Sequence, residues 1–438
     1  MIQVSIALLI SVVTLIAVSR YVKLHAFFSL LLAAVLFGVI MGKPFPEILT
    51  AMQSGFGLLL QQIGFLVAIG SCLGIVMEKT GAMASLGNKI VTAFGASRTV
   101  LAMSAIGVLV GIPVFCDSGF IILSRLIPAL ASSSATPAQL SLALSSGLYT
   151  THTLVPPTPG PLAAAANLGL ASHLGLAIVI GLVGSIPVAG VAYLLSRKFG
   201  LHITTTTPPV VSTETKSHSG ILIFLPLLIP IVLIAMASLP ALAPSLLLWN
   251  KFLSIIGNPA IALLIGLMLS FLLIRGKQKQ EWPDWISDAL KDAGIILLIT
   301  GAGGAFGSVI KSCGIDLLLK DVLATSQAGG ALFLSIAFAL AAILKTAQGS
   351  STSAIIITSS LLAPLTIAAG FASPFDLATL MLAIGGGAMT VSHANDSYFW
   401  VVSQFGGIAE RDAYKSYTLI TLAQGITALI VSIILYML

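Results

Sequence analysis

A chain of 438 residues with 57% hydrophobic and only 8% charged side chains has a mean hydropathy of +1.09. A soluble domain carries about 25% charged residues to wet its surface, and 20 Lys+Arg with 14 Asp+Glu are too few for this length. These numbers exclude a soluble enzyme, a nucleic-acid-binding domain and a disordered chain. The formal charge of +6 is scattered at the ends of apolar stretches rather than gathered into a patch. The composition predicts an all-α polytopic membrane protein whose solvent is the lipid bilayer.

In chain order, spans of roughly 20 apolar residues fall first at Met1–Ser19, Leu24–Met41 and Gly55–Met77. The first has no basic n-region and no small-residue cleavage site, so it reads as a retained helix rather than a signal peptide. Val100–Leu130 and Leu140–Leu170 are apolar but broken by Gly, Pro and polar residues. Leu174–Ser196 is clean, and the hydrophilic stretch Arg197–Gly220 follows it. Ile221–Leu242 and Pro259–Ile274 are clean again, Arg275–Lys291 is basic, and Ala293–Leu319 returns to apolar. Leu332–Trp400 is long and broken, and Ser416–Leu438 is the last span. The expectation is about 10–13 membrane segments, some of them half-crossings. The two basic loops share one side, which the positive-inside rule makes cytoplasmic, and the Arg20/Lys23 turn puts the N-terminus outside. Cys72, Cys116 and Cys313 sit in separate apolar segments and form no disulfide framework.

The chain repeats itself. Gly70–Gly81 (GSCLGIVMEKTG) aligns with Gly303–Gly314 (GGAFGSVIKSCG) at four identities. Downstream, the segment from Cys116 falls opposite the one from Gly349, and His152 near the position of His393. The shared order points to duplication: a first repeat over 1–201, a hydrophilic cytoplasmic linker over 202–219, and a second repeat over 220–438. Interrupted hydrophobic segments at corresponding positions of two repeats are the sequence pointer to a secondary transporter's binding site. Gly301–Gly307 has the outline of a dinucleotide loop, but Phe306 stands where the third glycine belongs. In a membrane it reads as a small-residue packing face with its partner at Gly70–Gly74.

Four breaks carry polar residues at membrane depth. Gly111–Gly119 holds Asp117 and Ser118, and Asp117 is the only acid between Glu78 and Glu214. A carboxylate there is expensive, so it should face a cavity and serve as a protonatable group; Cys116 beside it should share that aqueous pocket. The alternative is a cap for a helix starting at Gly119. Thr150–Pro161 holds Thr151, His152 and four prolines, which cannot continue a helix. Read otherwise, it is a proline-rich surface loop. Thr346–Ser353 holds Gln348, Gly349, Ser350, Ser351 and Thr352, whose hydroxyls, free N–H groups and helix N-terminus suit a carboxylate; small residues for close helix packing are the rival account. Ser392–Trp400 holds His393, Asn395 and Asp396, and its rival account is an interfacial helix end. No metal-ligand spacing and no hydrolase elbow appears, so neither a metal nor a cofactor nor enzymatic activity is expected.

The strings GIPVFCDSGF (Gly111–Phe120), THTLVPPTPGP (Thr151–Pro161), TAQGSST (Thr346–Thr352) and SHANDSYFW (Ser392–Trp400) resemble the signature segments of the gluconate permease (gluconate:H+ symporter, GntP) family. The resemblance runs essentially end to end. It implies uptake of gluconate-like hydroxy acids across the bacterial inner membrane, with D-serine permeases among the members. It also implies the ion-transporter superfamily architecture, with two inverted repeats, re-entrant hairpins and broken helices. Three positions depart from the family pattern: Asp117 where it usually has Glu, Thr158 where it often has His, and Arg125 where an apolar residue or proline is common. These departures put a smaller acid such as glycerate beside gluconate as the substrate.

The expected function is proton symport of such an acid, with H+ and a small organic acid as partners and a homodimer as the assembly. An anion entering an inside-negative cell works against roughly 2.3 kcal/mol per 100 mV, so it must bring a cation. Asp117, His152, His393 and Asp396 are the candidate proton carriers, Asp117 first among them. Ser350, Ser351 and Thr352, with Ser118, Thr151, Gln348 and Gly349 nearby, would hold the carboxylate; His152 and Asn395 would bond the hydroxyls. A Na+-coupled organic-anion symporter is the nearer rival, since hydroxyls and unwound carbonyls at Gln348–Thr352 suit Na+ as well. An anion channel is more distant, because no ring-like filter motif is present.

Overall fold

The computed structural model describes residues 2–95, 98–112, 114–131, 135–205, 221–237, 255–276, 278–313, 329–393 and 396–438, and among these it is helical with no β-strand. Residues 206–219 of the expected linker, Gly314 of the second repeat copy, and Asn395 lie outside the described residues.

The apolar runs fold where their length requires. Ile2–Ala17, Ala26–Ile40, Leu174–Gly200, Pro259–Phe271 and Tyr417–Met437 are helices, each within a few residues of the run that specified it. Four helices are long and apolar enough to cross a membrane. Phe45–Lys79, bent by 47° between Gln62 and Gly64, has the length and composition of one broken span or a re-entrant loop, and six further apolar helices have 10–17 residues. Large apolar side chains on the clean spans, such as Leu9, Ile186, Leu194 and Ile434, point out of the protein. That is the distribution expected where the solvent is lipid.

The two repeat copies end two helices of equal length, Phe45–Lys79 and Gln278–Ser312, each of 35 residues, and these pack against one another. Their contact is backbone to backbone: a Cβ added at Gly55 would stand 2.2 Å from the Gly304 carbonyl oxygen. Gly301 faces the Phe56 ring, and Gly303 and Gly307 face Ser360 of the next helix inward. Gly301–Gly307 is therefore a small-residue packing face, as expected, but Gly70–Gly74 is not its partner. A Cβ at Gly70 would meet nothing within 4 Å. The helices touch at Gly55, and Gly70 lies roughly 22 Å further along the axis at 1.5 Å per residue.

The broken regions form the interior. Every residue from Ala138 to Leu154 of the Pro137–Leu154 helix is buried. Its hydroxyls are satisfied at home: Ser145 and Ser146 donate to the Leu142 carbonyl, Thr150 to Ser146 and Thr153 to Tyr149. Such back-bonding lets polar residues sit in a core without stranded donors. Thr99–Val110 lies against this helix at Gly107 and Gly147, Leu174–Gly200 along another side, and Pro374–Met389 along a third. Thr136 with Gln139 and Ser373 with Asp376 form capping boxes that start two of these buried helices.

Candidate functional site

All four breaks interrupt helices. Thr99–Val110 stops at Gly111, and Cys116–Leu123 starts after Phe115 in extended conformation. Asp117 lies in the first turn of that helix, which starts before Gly119 and has no side-chain cap, so the capping account of Asp117 does not hold. Pro137–Leu154 ends at Val155 and Pro159–Asn167 begins after Thr158, with a cis bond between Pro156 and Pro157. All of Thr150–Gly160 is buried, so this is no surface loop. Gly329–Gln348 ends at Gly349, whose φ of +79° reverses the chain as glycine permits. Ser351–Leu362 then begins, with Ser350 as its cap accepting from the Ser353 N–H at 3.2 Å. Ser397–Phe405 begins under Asp396, which accepts from the Tyr398 N–H at 3.1 Å.

These ends converge. The Cys116–Leu123 helix packs against both Pro137–Leu154 and Ser397–Phe405, and Ser351–Leu362 packs against Gly329–Gln348 and Pro159–Asn167. At the meeting point stands a residue the sequence reading passed over. Lys345 Nζ lies 2.6 Å from Asp396 Oδ2, with Lys345 1% and Asp396 4% exposed. The ammonium also donates to the Gly349 carbonyl at 2.9 Å and sits 5.8 Å from the centroid of the Tyr149 ring. Ser392 Oγ donates to Asp396 Oδ2 at 2.5 Å, and Tyr149 and Ser351 share a hydrogen bond of 2.8 Å. A buried pair of this kind is costly to break by removing one partner, at about 3–5 kcal/mol, because the other charge is stranded. A signal was present in the sequence: Lys345 is the only basic residue between Lys320 and Arg411.

Around the pair, polar atoms are buried and unpaired among the described residues. Among them are Asp117 Oδ1, His152 Nδ1, and both the Oε1 and Nε2 of Gln348. Each comes from a different break, and each is a residue type that binds hydroxyls or protons. Buried polar groups are normally satisfied, so these atoms are the ones whose hydrogen-bonding capacity the protein itself does not use. Asp117 and His152 both lie close enough to Lys345 and Asp396 to feel their charges. The His152 and Phe115 rings lie tilted at 50° with centroids 5.9 Å apart, so the first and second breaks meet there. Beneath them Tyr149, Tyr398 and Tyr417 form a buried aromatic floor, with Tyr149 and Tyr398 centroids 5.4 Å apart.

Other expected site residues are engaged elsewhere. Thr151 Oγ1 donates across to the Val108 carbonyl at 2.9 Å and holds two helices together. Ser118 turns to a separate cleft of about 50 Å³, where it bonds Glu78 beside Asp292 and Ser71. Thr158, which lines the same cleft, donates to the Val155 carbonyl at 2.6 Å. Thr352 faces Gly160 across the helix contact, and His393 accepts at its carbonyl from the Asp396 N–H at 2.7 Å. Cys116 is 3% exposed and so does not share an open aqueous pocket, although its Sγ lies 4.0 Å from Asp117 Oδ2. The three cysteines are free, as expected.

The sequence matches the GntP family permease profile over residues 3–438. It is 32% identical over 432 residues to the inner membrane permease YgbN of Escherichia coli (strain K12), covering 94% of this chain and 93% of that one. It is 29% identical over 423 residues to the gluconate permease of Pseudomonas aeruginosa, covering 94% and 92%. In fold it is similar to the YdaH transporter of Alcanivorax borkumensis, with a TM-score of 0.67 over 94% of this chain and 97% of that one, at 15% sequence identity. A multi-pass helical fold, broken helices around a buried charged centre, and a family match along the whole chain agree: the chain belongs to the GntP permease family, and it is a membrane permease rather than an enzyme.

Proposed function

We propose that the protein imports a gluconate-like hydroxy-acid anion, a sugar acid or glycerate, across the bacterial inner membrane by proton symport. One observation carries the reading: Asp117 and His152, from two separate breaks, feel the charge of buried Lys345, Gln348 follows Lys345 by three residues at a third, and all three bring unpaired polar atoms. A polyhydroxylated anion needs that combination, a positive charge for the carboxylate and dispersed donors and acceptors for the hydroxyls. The gluconate permease among the relatives supports the substrate class.

Asp117 is the proton site. Its Oδ1 has no partner among the described residues, and its charge adds to a centre whose other two charges already cancel. Ser350 Oγ accepts from the Ser353 N–H, and its own proton remains to donate to a ligand. His152 bonds a substrate hydroxyl through Nδ1, and Asn395 another. The Na+-coupled alternative is weakened by Lys345, because the ammonium engages the Gly349 carbonyl and the Asp396 carboxylate that would otherwise ligate a metal cation.

Uptake of labelled sugar acids and glycerate into proteoliposomes, with H+ or Na+ gradients imposed separately, tests this. Accumulation should follow the proton gradient, collapse with an uncoupler and ignore replacement of Na+. Accumulation that persists without a proton gradient and requires Na+ would establish the sodium alternative instead.

A further inference from the structure

Among the residues whose burial is described, Lys345 is the one buried lysine or arginine. A carboxylate leaving water for a protein interior loses its hydration, and a full positive charge is the strongest replacement available to it. We propose that Lys345 is the anchor for the substrate carboxylate, and that Asp396 is its resident counter-ion, a built-in carboxylate that holds the ammonium while the site is empty. This inference rests on the reading of the protein as a carrier of hydroxy-acid anions.

The arrangement around Asp396 is suited to releasing the ammonium. Its Oδ2 takes both Lys345 Nζ, at 2.6 Å, and Ser392 Oγ, at 2.5 Å, while its Oδ1 takes the Tyr398 N–H at 3.1 Å. Withdrawal of Lys345 leaves each carboxylate oxygen with one hydrogen bond and leaves Asp396 capping its helix. Those two hydrogen bonds offset part of the penalty of opening the buried pair, which is why Asp396 tolerates sharing the ammonium with an arriving carboxylate while complete removal of Lys345 does not go unpunished. Lys345 Nζ is also held by the Gly349 carbonyl, at 2.9 Å, and by its place over the Tyr149 ring, neither of which depends on Asp396. Gln348, three residues further along the same helix, puts its unpaired amide on the neighbouring position of that face. A ligand held by Lys345 thus has that amide within one helical turn of its anchor.

The charges also balance. The empty centre holds Lys345 and Asp396, which cancel, together with Asp117. A bound carboxylate adds one negative charge, and the proton taken by Asp117 from the entry side cancels it. No bond of the substrate changes. The titratable groups facing the pair are Asp117 and Cys116 from one side, Tyr149 and His152 from a second, and Tyr398 and Tyr417 from a third.

Counterflow of labelled gluconate in proteoliposomes tests the anchor, because exchange needs no ion gradient. Lys345→Met alone should lower the yield of folded protein by stranding Asp396. The neutral pair Lys345→Met/Asp396→Asn should recover monodisperse protein, yet lose counterflow by about 100-fold. It should also cease to prefer gluconate over the neutral polyol glucitol in competition. Lys345→Arg keeps the ion pair and the fold, and should raise the KM for gluconate by about tenfold through its different geometry. Wild-type counterflow in the double variant, or an unchanged KM in Lys345→Arg, would overturn the anchor and leave the pair a structural tie. Proton coupling fails separately: Asp117→Asn accumulating substrate uphill would defeat it while leaving the anchor standing. Absence of gluconate, glycerate or any other hydroxy-acid exchange in the wild type would overturn both.

Discussion

An unmade hydrogen bond inside a membrane protein costs about 1–3 kcal/mol, so the atoms left unpaired are the most informative residues in this structure. Asp117 Oδ1 is the sharpest case, since water is the only other partner a carboxylate oxygen finds at that depth. If Asp117 carries the proton, Asp117→Asn holds the carrier in the form that mimics the protonated state. The variant should lose uphill accumulation, by at least about tenfold per pH unit of gradient, and keep exchange of labelled for unlabelled substrate. Retention of pH-driven accumulation in the variant would move the proton site to Asp396, His152 or His393. Thr151 makes the contrasting case. Its hydroxyl is spent on the Val108 carbonyl, so Thr151→Val should cost about 1 kcal/mol of stability, read as a lower melting temperature in detergent, with KM unchanged. These two residues also mark what one dimension reveals. An acid, a histidine or a glutamine in an apolar region is conspicuous as sequence, and Asp117, His152 and Gln348 each bring an unpaired buried atom to a helix break. The direction of a threonine hydroxyl is decided by the neighbouring helix, and Lys345 is hidden because a lysine closing an apolar run looks like an ordinary membrane-edge residue.

Among elements, the decisive contact is the approach of Phe45–Lys79 to Gln278–Ser312 through Gly55 and Gly304. Apolar surface gives no drive toward association between helices in lipid, so close packing of backbones has to supply it. A methyl at Gly55 would fall 2.2 Å from a carbonyl oxygen that belongs to a helix and cannot swing aside. Gly55→Ala should therefore destabilise the protein by roughly 1–3 kcal/mol, seen as a lower melting temperature or lost folded yield. Gly57 is two residues on, and a Cβ there meets nothing within 4 Å. Gly57→Ala should be neutral or stabilising by up to about 1 kcal/mol through helix propensity. Equal effects at the two positions would mean that the helices do not meet at Gly55. The spans themselves were legible from run length because the bilayer sets how long they must be. The partner of Gly301–Gly307 was not, because small residues say that something approaches closely without saying what. The internal repeat pointed to Gly70–Gly74, and packing chose Gly55, Phe56 and Ser360 instead.

For the whole molecule the governing constraint is electrical. The buried centre contains one cancelling pair, Lys345 with Asp396, and one further acid, Asp117. Only Asp117 is free to change charge without stranding a partner, so one proton should enter with each substrate monoanion. The sum of the two is neutral, and a neutral transfer does no work against the membrane potential, whereas a net unit charge would experience roughly 2.3 kcal/mol per 100 mV. The driving force is then the pH gradient alone, worth about 1.4 kcal/mol or tenfold in accumulation for each pH unit. Proteoliposomes loaded with potassium and treated with valinomycin separate these contributions. At a fixed pH gradient, the steady-state accumulation ratio should stay constant as the potassium diffusion potential is varied from zero to 100 mV negative inside. With no pH gradient, the potential alone should concentrate nothing. A ratio that rises with the potential by tens of fold would require a second cation in each cycle. That cation would have to reside on a group other than Asp117, and the pair of Lys345 with Asp396 would then titrate during transport instead of only exchanging partners.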